Sequence, residues 1–147
     1  MPFPYKRILC PVDFDDNSAH ALQHAAALAL ESGGLIHLLH IVQINPLVAQ
    51  GVTEGFAGKE LYDTKVAAAR QQLEEVAQNI PPTVSRQLVI EIGEPGALIV
   101  EAGPRFGADL LVMATHGRSG LKHLILGSVA ERVVRESSVP VLIVRSV

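Results

Sequence analysis

The sequence predicts an α/β three-layer sandwich, in which a parallel sheet lies between two layers of helices, and three observations lead to it. Five apolar runs of strand length recur along the 147 residues, at 8–12, 35–42, 88–92, 110–114 and 141–144. Each run is almost continuously apolar, as in strands buried on both faces of a parallel sheet. Segments with helical spacing separate the runs without exception, and that alternation is typical of right-handed strand-helix-strand crossovers.

Four helices are predicted from apolar spacing and from stop signals, at about 18–32, 59–79, 95–106 and from 128 to before 139. The first ends at Gly33-Gly34 and the second at Pro81-Pro82, because these residues stop a helix. Proline is permitted in the first turn of a helix, where Pro95 opens the third. The long connection at 43–58 holds three glycines and a proline and is predicted to form a mobile flap over the carboxyl edge of the sheet.

Length and composition predict one globular domain over residues 1–147, with 48% hydrophobic and 18% charged residues. A net charge of -3, only 4% aromatic residues and the absence of tryptophan argue against a nucleic-acid partner. The single cysteine, Cys10, excludes an internal disulfide framework. No apolar run reaches the length of a membrane span and the amino terminus lacks a signal-peptide pattern, so we expect no membrane partner and a cytoplasmic location.

The first strand leads into Asp13, which puts a carboxylate at the carboxyl edge of the sheet. Neither glycine-rich nucleotide fingerprint, G-x-x-x-x-G-K-[ST] or G-x-G-x-x-G, follows a strand. One interpretation makes Asp13 a turn residue beside the cap of the first helix, for which Asp15, Asp16, Asn17 and Ser18 compete. The other makes it an acceptor for a ribose hydroxyl or an exocyclic amine.

The segment 115–128 is the place in this acidic chain best suited to receive an anion. It holds two basic residues, two histidines and no acidic residue. Gly127 allows close approach of the backbone, and Ser128 opens a helix whose unpaired N–H groups favour phosphate. The alternative is a capping box, in which Ser128 is the N-cap and Glu131 reaches back to it.

These residues resemble the universal stress protein family, in which the fourth strand leads into G-x-x-G, nine residues and G-[S/T]. Gly117, nine intervening residues and Gly127-Ser128 match that motif, while Ala114 stands at its first glycine. Three further segments are similar to the family, at 8–13, 107–113 and 139–144. The resemblance therefore covers essentially the whole chain.

The resemblance implies a flavodoxin-like fold with strand order 3-2-1-4-5, a homodimer, and an ATP site with or without Mg or Mn. Carried over by position, the adenine and ribose side is lined by Pro11, Val12, Asp13 and Ile41. The ribose and α-phosphate are followed by Met113, Ala114, His116, Gly117 and Arg118. The outer phosphates are held by Gly127, Ser128, Val129 and Ala130.

Ala114 is the departure from the family motif. If the glycine is needed for a positive φ, alanine costs about 1 kcal/mol or more. If only close approach is needed, one methyl group is tolerated. Ala114 ends an apolar strand run, where ordinary β angles are expected, so we favour tolerance.

Several other residues have a structural interpretation beside a functional one. His20 and His24 have the spacing of a helical metal pair, but no third ligand is in view, so a solvated or packing role is favoured and no metal site is predicted. His37 and His40 point to opposite faces of the second strand and cannot chelate together. His40 lies near the carboxyl edge, within reach of a ligand, although an interior histidine is the favoured interpretation. Cys10 is predicted to be a small buried hydrophobe.

No nucleophile, base and orienting group can be proposed together, so we expect a binding module with at most slow, incidental ATP hydrolysis and no catalytic residues. The alternative is a ligand-free dimeric interaction module. In the implied strand order the last strand is an edge, and its apolar run at 139–144 is a liability unless it is paired. Antiparallel pairing with a second copy of the chain predicts a homodimer through this strand.

Overall fold

The computed structural model describes residues 3–43, 56–115 and 126–145. Five strands are present, which we number in chain order as β1 Arg7–Pro11, β2 Leu35–Val42, β3 Ser85–Ile92, β4 Leu110–Ala114 and β5 Val141–Val144. Four helices separate them, which are α1 Asp16–Ser32, α2 Phe56–Ala77, α3 Pro95–Arg105 and α4 Ser128–Glu136. Most of the connection at 43–58 predicted to be a flap, residues 44–55, lies outside the described residues.

All strand pairs are parallel, and the sheet has the order β3-β2-β1-β4-β5. The predicted α/β sandwich and the strand order implied by the family resemblance are thus confirmed. Because β1 and β4 are neighbours while their connections leave in opposite directions, the switch point of the sheet lies between these two strands. Ligands of such sheets bind in the crevice at the carboxyl ends of the strands.

The two faces of the sheet bury separate apolar cores, which makes the three layers. Alternate β1 residues, such as Ile8 and Cys10, pack with α1 and α2, where Leu22 and Leu73 are buried. Leu9 points to the other face. That second core is completed by Ile99 of α3 and Val133 of α4. The central strands β1, β2 and β4 are therefore buried on both faces, which explains their nearly continuous hydrophobicity.

Among the strands, the predicted bounds differ most from the structure in β3, which begins at Ser85, whereas the apolar run predicted a start at 88. Its first three residues pair with the start of β2, although Ser85, Arg86 and Gln87 carry no apolar signal. This strand is at the edge of the sheet, so one side of each residue meets solvent and polar side chains are tolerated. None of the helices in the described ranges is long and apolar enough to cross a membrane.

His37 is a buried histidine in the second core, which makes stability depend on pH. Its ring stacks on Phe106 with centroids 4.8 Å apart, and its Nδ1 has no hydrogen-bond partner. Burial, helped by the positive charge of Arg7, lowers the pKa of His37, while a hydrogen bond with Gln87 acts in the opposite direction. The unfolded chain therefore binds this proton at higher pH than the folded protein does.

We expect the stability due to neutral His37 to be fully present above the unfolded pKa, about 6.5, and to be lost as the pH falls below it. One proton limits the slope to about 1.4 kcal/mol per pH unit. Urea unfolding at several pH values between 5 and 8 measures it, and His37→Leu should flatten the profile. His24→Gln, at an exposed histidine, is the matched control. An unchanged profile in His37→Leu would contradict the assignment.

Candidate functional site

A cavity of about 250 Å³ opens at the carboxyl edge of the sheet, beside the switch point between β1 and β4. Its lining is supplied by the ends of β1, β2 and β4, by the residues that follow β1 and β2, and by the amino-terminal parts of α1, α3 and α4. The lining residues are Pro11, Val12, Asp13, Ser18, Leu39, His40, Ile41, Gln43, Pro95, Ile99, Met113, Ala114, Gly127, Ser128, Val129 and Ala130. The cavity is therefore where this class of sheet binds ligands.

Ten of the thirteen residues that the family resemblance assigned to a nucleotide are described, and all ten line this one cavity. They are Pro11, Val12, Asp13, Ile41, Met113, Ala114, Gly127, Ser128, Val129 and Ala130. The other three, His116, Gly117 and Arg118, fall in the undescribed segment 116–125. Strand order brings the ten together, because it sets β1 beside both β2 and β4.

The turn after β1 is held by hydrogen bonds that reach α1. Asp15 is the N-cap of α1 and accepts a 2.8 Å hydrogen bond from the Ser18 N–H. The Ser18 hydroxyl in turn accepts a 2.9 Å hydrogen bond from the Asp13 N–H. Among the candidate caps the structure thus selects Asp15, and Asp13 lies at the cavity wall.

Phe14, which follows Asp13, is the one non-glycine residue in the described ranges with a positive φ, at 61°. For an aromatic residue this left-handed conformation costs about 1–3 kcal/mol. It is held there by packing: its ring stacks on His40 with centroids 4.1 Å apart and an interplanar angle of 28°. His40 lines the cavity and its Nδ1 lies 2.8 Å from the Val12 carbonyl oxygen.

The N-terminus of α4 opens to the cavity without a side-chain cap. Gly127 is the N-cap; its N–H donates to the Thr115 carbonyl at 2.7 Å, and its own carbonyl accepts from the Glu131 N–H at 2.9 Å. The alternative interpretation of this segment, a capping box of Ser128 and Glu131, is therefore wrong. Ser128 is already helical, and the Glu131 carboxylate pairs with Arg135 instead.

This arrangement leaves the N–H groups of Ser128, Val129 and Ala130 without partners inside the helix. Together with the helix dipole they make a positive end that favours an anion. Ser128 is exposed and Ala130 is buried at the cavity wall. The first turn of α4 can thus bind phosphate oxygens without breaking any hydrogen bond of the helix.

The N-terminus of α3, which also borders the cavity through Pro95, differs because it carries its own anion. Glu94 is its N-cap and accepts hydrogen bonds from the N–H groups of Ala97 at 2.8 Å and Gly96 at 3.1 Å. The pKa of Glu94 is below its ordinary value, chiefly because of the hydrogen bond from the Ala97 N–H. Hydrogen bonds from Gly96 and Arg132 act in the same direction. Of these two helix starts, only that of α4 is open to an external anion.

Ala114, the departure from the family motif, lies in β4 opposite Val144 of β5. It does not have a positive φ, so the backbone there needs no glycine. Ala114 is one of the residues that line the cavity. The expectation that alanine keeps ordinary strand geometry at this position is confirmed.

The remaining candidate residues lie apart from this chemistry. Cys10 is fully buried, as predicted, and this burial raises the pKa of its thiol to about 12. His37 and His40 point to opposite faces of β2, as predicted, since their rings stack on residues of different cores. Over 3–43, 56–115 and 126–145, no three His, Cys, Asp or Glu side chains form a group able to hold a metal ion. The rings of His20 and His24 contact each other edge to face.

Six cavity residues have no place in the sequence-based site, namely Ser18, Leu39, His40, Gln43, Pro95 and Ile99. Some of these residues could have been found from the sequence. Because parallel strands end at the same edge of the sheet, the predicted strands alone place Gln43, after β2, and Pro95, after β3, at that edge. His40 could be placed near that edge. Its bond to Val12 depends on the register of β1 and β2 and has no local signal.

The fold and the cavity define an α/β protein with a ligand crevice at the switch point of a parallel sheet. Within that class the chain belongs to the universal stress protein family, whose family model matches residues 4–145. It is 33% identical over 144 residues to universal stress protein MJ0531 of Methanocaldococcus jannaschii, an alignment that covers 96% of this chain and 82% of the relative.

Solved structures agree with this assignment. The structure of MJ0577, a universal stress protein of the same organism, is similar with a TM-score of 0.85 and 30% identity, covering 97% of each chain. The universal stress protein from Archaeoglobus fulgidus in complex with dAMP has a TM-score of 0.69 and 19% identity, covering 96% of this chain and 98% of that one. That likeness concerns the fold, and the complex establishes that some members of the family bind an adenine nucleotide.

Proposed function

We propose that this protein binds an adenine nucleotide, ATP, in the cavity at the carboxyl edge of the sheet. The observation that carries the proposal is the uncapped start of α4, which faces a cavity also lined by Asp13 and Ile41. An anion-binding end and an apolar, hydrogen-bonding end in one crevice match the two halves of a nucleotide. A family member in complex with dAMP supports the same class of ligand.

In this proposal each part of the wall meets a chemically matched part of the ligand. Ile41 supplies apolar surface for the base, Met113 lies toward the ribose, and the Asp13 carboxylate accepts from a ribose hydroxyl or the exocyclic amine. The N–H groups at the start of α4 donate to the outer phosphates. By family resemblance His116, Gly117 and Arg118 follow the ribose and α-phosphate.

A divalent ion that accompanies ATP would be bound mainly by the phosphates in this proposal. No group of three potential metal-binding side chains exists in the part of the chain that the structure describes. Mg²⁺ commonly keeps several waters and uses substrate phosphates as ligands. We therefore treat Mg or Mn as part of the ligand and not as a resident metal.

We further propose a binding module in the stress response and not an enzyme, with at most slow hydrolysis of ATP. Cys10, a nucleophile by residue type, is buried with a raised thiol pKa. His40 Nδ1 is hydrogen bonded to the Val12 carbonyl, so that nitrogen is engaged by the backbone. These two observations favour storage or sensing of the nucleotide over its conversion.

The proposed partner is a second copy of the same chain, joined through β5. This strand is at the edge of the sheet and its Leu142 side chain is 37% exposed. An apolar edge strand is a template for pairing with another chain. A two-fold axis beside β5 would satisfy both edges and extend the sheet through the dimer.

Two measurements test nucleotide binding. Mass spectrometry of protein purified without added ligand, under native conditions, is expected to find an adenine nucleotide. Calorimetric titration with ATP, ADP and AMP is expected to find one site per chain, with tighter binding when more phosphates are present. If no heat of binding is detected at millimolar ATP, the proposal is wrong, and the ligand-free dimeric interaction module becomes the better hypothesis.

A further inference from the structure

One peptide group at the cavity wall is held at both of its polar ends by side chains from different elements. The carbonyl of Val12 and the N–H of Asp13 belong to the same planar peptide unit. His40 of β2 contacts the carbonyl oxygen through Nδ1 at 2.8 Å, and Ser18 of α1 accepts from the N–H at 2.9 Å. The orientation of this peptide therefore depends on both side chains.

The chemistry of the His40 contact fixes its direction. A carbonyl oxygen only accepts hydrogen bonds, so Nδ1 of His40 must carry the proton and donate. The neutral ring then has an unprotonated Nε2. The plane of the ring is set by its stack on Phe14, 4.1 Å between centroids, and Phe14 keeps a left-handed φ of 61° directly after Asp13.

His40 thus controls the residues on either side of Asp13, through the Val12 carbonyl before it and the Phe14 ring after it. A residue held in a strained conformation at a ligand site points to a functional constraint when its surroundings over-determine it. For Phe14 these surroundings are the His40 ring on which it stacks and the Val12–Asp13 peptide, which is hydrogen bonded at both ends. Both constrain the backbone on either side of Asp13, which lines the cavity.

We infer that His40 is a positioning residue: its Nδ1–H, in a ring oriented by Phe14, holds the Val12–Asp13 peptide so that Asp13 meets the nucleotide, and this hydrogen bond, not the ring stack, carries the effect on binding. The inference rests on the proposed function, since it names how that site selects its ligand. His40 acts through Asp13, so it affects discrimination of the groups that Asp13 recognises and does not serve as a general contact.

Two substitutions separate this role from direct contact through Nε2. In His40→Asn the side-chain amide nitrogen can occupy the Nδ1 position and keep the bond to Val12, whereas His40→Gln places its amide near the Nε2 position. We expect His40→Gln to weaken ATP binding about tenfold and His40→Asn to stay within about threefold of wild type, measured by calorimetry. The reverse order, or equal losses, would overturn the inference.

A double-mutant cycle tests whether His40 acts through Asp13. In an Asp13→Ala background the further change His40→Gln should cost less than about twofold, because the group it positions is gone. Selectivity is measured as the affinity for ATP divided by the affinity for each of three analogues: ITP, which lacks the exocyclic amine, 2′-deoxy-ATP and 3′-deoxy-ATP. We expect His40→Gln to lower the same ratio that Asp13→Ala lowers. A loss of general stability would not change one ratio selectively. Additive losses with unchanged ratios would sink the inference.

A measurement on the protein without nucleotide distinguishes a failure of the His40 inference from a failure of the proposed ATP binding. Nitrogen-15 NMR of the histidine side chains should show the Nδ1-protonated tautomer for His40 in the free protein, assigned by its loss in His40→Asn. A different tautomer overturns the clamp itself even if ATP binds. Absence of ATP binding by the wild type overturns the proposed function, and with it the role of His40 in selection, even if the tautomer is as expected. Thermal unfolding of each variant confirms that it is folded.

Discussion

A Ser128→Asp variant is expected to lose more than 100-fold in affinity for ATP while its fold is kept or slightly stabilised. Residue 128 is exposed and begins α4, so a carboxylate there has room and interacts favourably with the helix dipole, by about 0.3–1 kcal/mol. The same charge repels bound phosphate. At about 5 Å and an effective dielectric constant of about 20, two unit charges repel by about 3 kcal/mol.

Ser128→Asn is the matched control, since it has the same shape without the charge. We expect it to bind ATP within about tenfold of wild type, because the backbone N–H groups remain. Calorimetric titration gives the affinities and thermal unfolding gives the stability of the free protein. A Ser128→Asp variant that binds ATP as well as Ser128→Asn does would place the phosphates away from α4.

The layers of the fold could be predicted because the central strands are buried on both faces. Continuous apolar runs gave β2, β4 and β5 with their observed bounds. The start of β3 was missed where an edge position admits polar residues such as Gln87. Strand order is a tertiary property with no local signal, and it came from the family resemblance alone.

In the site, too, some residues could be predicted from local sequence and others could not. Asp13 could be placed at the carboxyl edge of the sheet because it follows β1, and Ser128 could be placed there because it opens the helix after β4. The cap of α4 could not be predicted: the S-x-x-E pattern fits a capping box, yet the observed cap is Gly127, whose backbone is extended, with φ −71° and ψ 169°. Nor could the left-handed Phe14 and its stack on His40 be predicted, because both depend on the packing of β2 against the turn after β1.

An Ile143→Pro variant is expected to be monomeric at concentrations where the wild type is a dimer. The carbonyls of Pro140 and Val144 accept hydrogen bonds from the N–H groups of Leu111 and Thr115 at 2.9 and 3.1 Å, so the even-numbered residues from 140 to 144 direct their backbone polar groups toward β4. Ile143 lies between these positions, and its N–H points away from the sheet. Proline at an outward-facing edge position removes that N–H without removing a bond to β4.

In the proposed dimer the two-fold axis would double the effect, because each copy would lose one hydrogen bond to the other and gain a proline ring in the pairing edge. Two lost hydrogen bonds weaken the dimer on the order of 100-fold, which sedimentation over a range of micromolar concentrations can measure. Ile143→Ala keeps the N–H and separates the contribution of the side chain. Unchanged ATP binding in Ile143→Pro would show that the chain is still folded. If that folded variant sediments as a dimer like the wild type, the two copies do not join through the backbone of β5.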